Sequence, residues 1–160
     1  MSKASKAKDL EGEIAQLAMH TQSAQDLMTR MVELLHERML KYNWVGFYML
    51  ETTEPPTLVL SSFQGAMTPH TRIPLHQGIC GAAASTGKTV VVDDVNLDPR
   101  YLACSLETKS EIVVPVFAHG KVVGELDIDS HFPAAFQDED RALVEYCAGL
   151  VGKSLEKSSK

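Results

Sequence analysis

The spacing of apolar residues changes along the chain, and each change marks a new element. Leu10, Ile14 and Leu17 recur at three- and four-residue intervals, and after the polar patch His20 to Ser23 a second set follows at Leu27, Met31, Leu34 and Leu35. That spacing puts each set on one stripe of a helix, so two amphipathic helices are predicted. From Trp44 to Leu50 the pattern becomes that of a strand, and the turn-rich ETTEPPT separates it from a second strand, Leu58 to Phe63. Thr89 to Val95 is a further short strand. The clearest hairpin lies in Ser110 to Ser130. Its β-branched cores, Ile112 to Phe117 and Lys121 to Ile128, flank His119-Gly120, a pair suited to a tight turn. Near the end, acidic residues in FPAAFQDED open a last helix, whose apolar stripe is Leu143, Cys147, Leu150 and Val151. Residues 1–8 are polar and rich in lysine and serine, and are expected to be a disordered tail ahead of a single domain over 9–157.

Composition narrows the function classes. A hydrophobic share of 44% and a charged share of 22% are ordinary for a globular domain. Fifteen basic against twenty-one acidic residues give a formal charge of −6 and no basic patch, which argues against nucleic acid as a partner. The lysines of MSKASKAKDLEGE are not followed by an apolar run, unlike a secretory signal or membrane anchor, so no membrane role and a cytoplasmic location are expected. Three cysteines, Cys80, Cys104 and Cys147, then point to catalytic or redox chemistry and not to a disulfide framework.

Alternation supplies the candidate site. Along the second strand of the central hairpin, Leu126 and Ile128 share one face while Asp127 and Asp129 share the other, and Glu111 begins the partner strand at the same end. Two readings follow, a solvated acidic face or three converging carboxylates. In the first strand Trp44, Gly46 and Tyr48 share a face, where the rings are either core or the walls of an apolar slot over the glycine. ICGAAASTG reads as a short helix closed by Gly87, with Cys80 in its first turn. There Cys80 is either a thiolate favoured by unpaired backbone N–H groups or a small buried residue among alanines. Cys104 lies in a loop just ahead of the hairpin and is the better nucleophile candidate, whereas Cys147 belongs to a core stripe. The six histidines are scattered, and although His76 and Cys80 fall one helical turn apart, no paired spacing completes a metal site. Met28, Met31 and Met39 fit core or a self-association face, which makes a homodimer plausible.

Taken together, NWVGFYML, SSFQG, RIPLHQGICGAAA, the Ala103-Cys104 loop, SEIVVPV and GELDIDS resemble the free methionine-(R)-sulfoxide reductases, single GAF-domain enzymes, from about Tyr42 onward. The resemblance implies an α+β GAF fold: a central antiparallel sheet with N- and C-terminal helices on one face and a loop-capped ligand pocket on the other. It makes Cys104 the nucleophile and Cys80 its partner thiol. Glu111, Asp127 and Asp129 become the acids that receive free methionine-(R)-sulfoxide, and Trp44 and Tyr48 the wall around its methyl group. A thioredoxin-like reductant is implied, and no cofactor. The family's third cysteine, between the FQG and RIP motifs, is absent from AMTPHT here, Cys104 is followed by Ser105 in place of an aspartate, and Pro99-Arg100-Tyr101 replaces a glycine-histidine pair. The alternative class is a GAF module that binds an amino-acid-like ligand without turning it over.

Overall fold

A computed structural model describes residues 2–102 and 106–158. Eleven elements follow one another: α1 (Lys3–His20), α2 (Ala24–Arg38), β1 (Trp44–Glu51), β2 (Thr57–Gln64), β3 (Arg72–Pro74), α3 (Gly78–Thr86), β4 (Val90–Val92), a 3-10 turn (Val95–Leu97), β5 (Ser110–Ala118), β6 (Lys121–Ser130) and α4 (Asp138–Ser158). The strands make one antiparallel sheet in the order β3-β2-β1-β6-β5-β4. This is the architecture that the sequence patterns and the resemblance imply.

Helices α1, α2 and α4 cover one face. Val45 and Phe47 of β1, Ile112, Val114 and Val116 of β5, and Leu126 and Ile128 of β6 point into that layer, where Leu27, Met31, Leu143, Cys147 and Val151 meet them. Met28, Met31 and Met39 are all buried there, so the methionines that suggested a self-association face are interior filler. The opposite face carries a second cluster, built by Trp44, Tyr48, Leu58 and Ile73 with Ile79, Cys80, Ala83 and Ala84 of α3.

Within residues 1–8, expected as a tail, positions 3–8 are instead the first turns of α1. Ser2 caps that helix by accepting from the Ser5 N–H at 3.2 Å, and Ala7 packs into the core. Lys3 pairs with buried Asp140 at the start of α4, and Asp140 also accepts from the Tyr42 hydroxyl at 2.6 Å. A long-range ion pair of this kind has no local signal in a polar segment. The central hairpin closes through His119 and Gly120 at φ 51° and 75°, the left-handed pair that a two-residue turn requires. Pro115 sits beyond Val113, the last residue of β5 that pairs with β4, so its missing N–H costs that ladder nothing.

Candidate active site

Register turns three strands into a lattice on the second face. Trp44 of β1, Asp129 of β6 and Glu111 of β5 stand side by side in one row. Gly46, Asp127 and Val113 form the next, and Tyr48, Glu125 and Pro115 the third. Directly opposed residues of antiparallel strands present their side chains to the same face at about 4.5–5.5 Å between Cβ atoms. Three acids from β6 and one from β5 are therefore neighbours, and all four are buried. The acids expected to converge do so, and the solvated-face alternative is excluded by their burial.

Helix α3 lies over this lattice and brings Cys80 in its first turn, as its sequence indicated. Small side chains on the buried stripe, Ala83 and Ala84, let the helix approach the sheet. The Cys80 thiol donates to Asp127 Oδ2 at 3.3 Å and lies against the Glu125 carboxyl. Of the two readings of Cys80, the small buried residue holds and the thiolate does not. Burial pushes the Cys80 thiol well above its ordinary value, and the negative fields of Asp127, Glu125 and Glu111 push it further. A helix terminus is outweighed by three carboxyls at short range. Cys147, fully buried in the helix layer, is likewise raised by desolvation.

Burial and mutual proximity shift three of the carboxyls upward as well. Glu111 is raised well above the usual range by burial, then by Asp127 and Asp129. Glu125 is raised by burial and by Asp127, with partial relief from the Cys80 thiol. Asp127 is raised by burial, while hydrogen bonds from Glu111 and Cys80 pull it back. Proton sharing thus favours a neutral Glu111 beside a more acidic Asp127.

Of the two rings, Tyr48 borders the cavity and Trp44 does not, and the gap over Gly46, read as either packed core or an open slot, is filled. A Cβ at that position would stand 2.3 Å from Trp44 Cη2, so the indole folds across the glycine and only glycine permits it. The indole stacks on Phe63 at 5.8 Å and tilts against Tyr48 at 6.2 Å. Both rings also anchor the segment between β2 and β3: Trp44 Nε1 donates to the Ala66 carbonyl at 3.0 Å, and the Tyr48 hydroxyl to that of His70 at 2.7 Å. A cavity of about 30 Å³ remains, bounded by Tyr48, His70, Cys80, Leu102, Glu111 and Asp127.

Cys104, the proposed nucleophile, lies outside the described residues. One acid escaped the sequence analysis. Glu125 is two residues before Asp127 in GELDIDS, so the alternation that paired Asp127 with Asp129 applies equally to it. It is fully buried, and neither carboxyl oxygen has a hydrogen-bond partner of good geometry among the described residues. One ligand atom each from Cys80, Glu111 and Asp127 lie within 4.8 Å of one another, a cluster that histidine and cysteine spacing did not reveal. No described helix is long and apolar enough to cross a membrane.

Comparison with known proteins agrees with this geometry. The GAF domain model matches residues 23–155. A free methionine-R-sulfoxide reductase of Saccharomyces cerevisiae is 44% identical over 113 residues, 70% of this chain and 62% of that relative, so the match spans less than two thirds of the relative's length. The X-ray structure of free methionine-R-sulfoxide reductase from Neisseria meningitidis in complex with its substrate superposes with a TM-score of 0.92 at 33% identity, covering 100% of this chain and 95% of that one. A type II free methionine-R-sulfoxide reductase from Thermoplasma acidophilum is 41% identical with a TM-score of 0.78, over 84% of this chain and 93% of that one. By family model, sequence and fold alike, the chain belongs to the GAF-domain family of free methionine-R-sulfoxide reductases.

Proposed function

We propose that this chain reduces free L-methionine-(R)-sulfoxide to methionine at the expense of thiols. The burial of Glu111, Glu125, Asp127 and Asp129 on the sheet face that Cys80 packs against, with Tyr48 bordering the same cavity, carries this reading. Four buried carboxyls suit a ligand that arrives with an ammonium group. A free amino acid has one, whereas a methionine within a protein offers an uncharged amide, so the same acids select the free form. The Tyr48 ring accepts the methyl-sulfur end.

Cys104 is assigned as the nucleophile, on the strength of its loop and the motif around it. Leu102, two positions before it, lines the cavity. The Cys104 thiolate attacks the sulfoxide sulfur, the sulfur–oxygen bond breaks, and the oxygen takes a proton and ends on the cysteine as sulfenic acid while methionine leaves, reduced by two electrons. Glu111 is a suitable proton donor, since burial and neighbouring carboxyls favour its protonated form. Cys80 then attacks the sulfenic sulfur, its proton passing by way of Asp127 Oδ2 to the departing hydroxyl, which leaves as water, to give a disulfide. A thioredoxin-like dithiol restores both thiols by exchange. A volume of about 30 Å³ has room for one or two waters, so the segments carrying His70 and Leu102 have to part to admit substrate. Their return excludes water from the reacting groups.

The test is methionine formation from free methionine-(R)-sulfoxide, with dithiothreitol and, separately, with thioredoxin. Cys104→Ala is expected to abolish turnover with both reductants. Cys80→Ala is expected to keep turnover with dithiothreitol and lose it with thioredoxin. Wild-type protein that binds the sulfoxide and forms no methionine would make the chain a ligand-binding GAF module, the class that the missing third cysteine would suit.

A further inference from the structure

We propose that Cys80, Glu111 and Asp127 form a binding site for a thiophilic divalent cation of the Zn²⁺ type, with the fourth position of the tetrahedron left to water. Three observations converge on it. One ligand atom from each of the first three residues lies within 4.8 Å of the others, and the Cys80 Sγ to Asp127 Oδ2 separation is 3.3 Å. Tetrahedral zinc with sulfur at about 2.3 Å and oxygen at about 2.1 Å needs donors roughly 3.4–3.6 Å apart, so one pair already stands near that spacing and the third requires only a modest contraction. Next, Glu125 is fully buried on the same face beside the thiol, and neither of its oxygens has a hydrogen-bond partner of good geometry among the described residues. A carboxyl in that position carries the cost of desolvation, which a cation bound beside it would reduce.

The third observation is chemical selectivity. Calcium takes six to eight oxygens, and magnesium keeps several of its waters. Neither suits a cavity of about 30 Å³ with a sulfur donor, whereas zinc accepts sulfur and carboxylate oxygen together. A bound cation would occupy the acids proposed to receive the substrate ammonium and tie up the proposed resolving thiol. Zinc is therefore a reversible inhibitor under the reductase reading, but its binding stands independently of turnover.

The test is direct binding to the fully reduced, purified chain. Titration calorimetry with Zn²⁺ is expected to give one site per chain, with no comparable site for Ca²⁺ or Mg²⁺. Affinity is expected to fall by about tenfold or more in Cys80→Ser, in Glu111→Gln and in Asp127→Asn. Co²⁺ is a spectroscopic check that does not depend on affinity: the wild type is expected to show a thiolate-to-cobalt charge-transfer band that Cys80→Ser loses and Cys147→Ala keeps. Circular dichroism of each variant shows that it is folded. Absence of zinc binding by the reduced wild type, or zinc affinity and a cobalt band both unchanged in folded Cys80→Ser, would overturn the proposal. Zinc binding in a protein without turnover would leave it standing and reject the reductase reading alone.

Discussion

On the helix-covered face of the sheet Val45, Phe47, Ile112, Val114, Leu126 and Ile128 make an apolar layer with α1, α2 and α4. On the other face, the positions alternating with them on the same strands are Trp44, Gly46, Tyr48, Glu111, Val113, Glu125, Asp127 and Asp129. Both sets are buried, but only one is buried among like partners. The helix face gains from removing apolar surface from water, at about 25 cal/mol per Å². The pocket face instead holds four carboxyls and a thiol out of water with few partners, which costs stability. Such a division is common where a scaffold supports a site: the first face holds the strands in register, and the second uses that register to crowd groups that would otherwise separate.

Substitutions of the apolar helix-face residues and of the pocket-face carboxyls should therefore differ in sign. The largest effect is expected from Phe47→Ala, which empties a fully buried position under α2 and should lower unfolding free energy by about 3–5 kcal/mol, measured by urea denaturation. Glu111→Gln should leave stability equal or higher while lowering kcat by about 100-fold, the usual worth of a positioned proton donor, seen in methionine formation under saturating dithiothreitol. A destabilised Glu111→Gln with unaltered kcat would erase the contrast between the faces.

Glu125→Gln sharpens the comparison through pH. The Glu125 carboxyl is raised in the folded protein, so the fold binds the proton more tightly than the unfolded chain does. Its contribution is fully present below the ordinary glutamate value of about 4.3 and is lost as pH rises through the folded value. The variant should thus be more stable than wild type by about 1–3 kcal/mol around pH 8, and the gain should shrink toward pH 4 in thermal melts. A gain independent of pH would mean that the carboxyl is not carrying this proton. The smallest effect is expected from Tyr48→Phe, which removes the 2.7 Å bond to the His70 carbonyl. It should cost about 1 kcal/mol and raise KM more than it lowers kcat, because the bond holds the segment that closes over the cavity.

Much of this arrangement is written in local pattern. Period-two alternation in LDIDS separates Leu126 and Ile128 from Asp127 and Asp129, period-3.6 stripes mark α2 and α4, and His119-Gly120 specifies the hairpin turn. These depend on neighbours a few residues away, which a sequence displays. The same alternation already contained Glu125, so its omission was a failure to extend a visible pattern. The motifs of the pocket face also carried the family resemblance, because chemistry constrains residue identity there more narrowly than packing does in the helix layer.

What a sequence cannot display is the field that distant groups exert on one another. That Cys80 is favoured as a thiol follows first from its burial where α3 packs on the sheet and then from Asp127, Glu125 and Glu111 arriving beside it from β6 and β5. That the Gly46 gap is closed follows from one choice of indole rotamer, stacked on Phe63 of β2. That positions 3–8 are helix goes with Ala7 packing into the core and Lys3 reaching Asp140 across the molecule. By itself, the sequence determined which side of each strand a residue faces and which residue types could do chemistry. Only the tertiary structure decided which of them share a low-dielectric space, and with it their protonation, because burial and Coulomb interaction depend on distances that chain spacing does not encode.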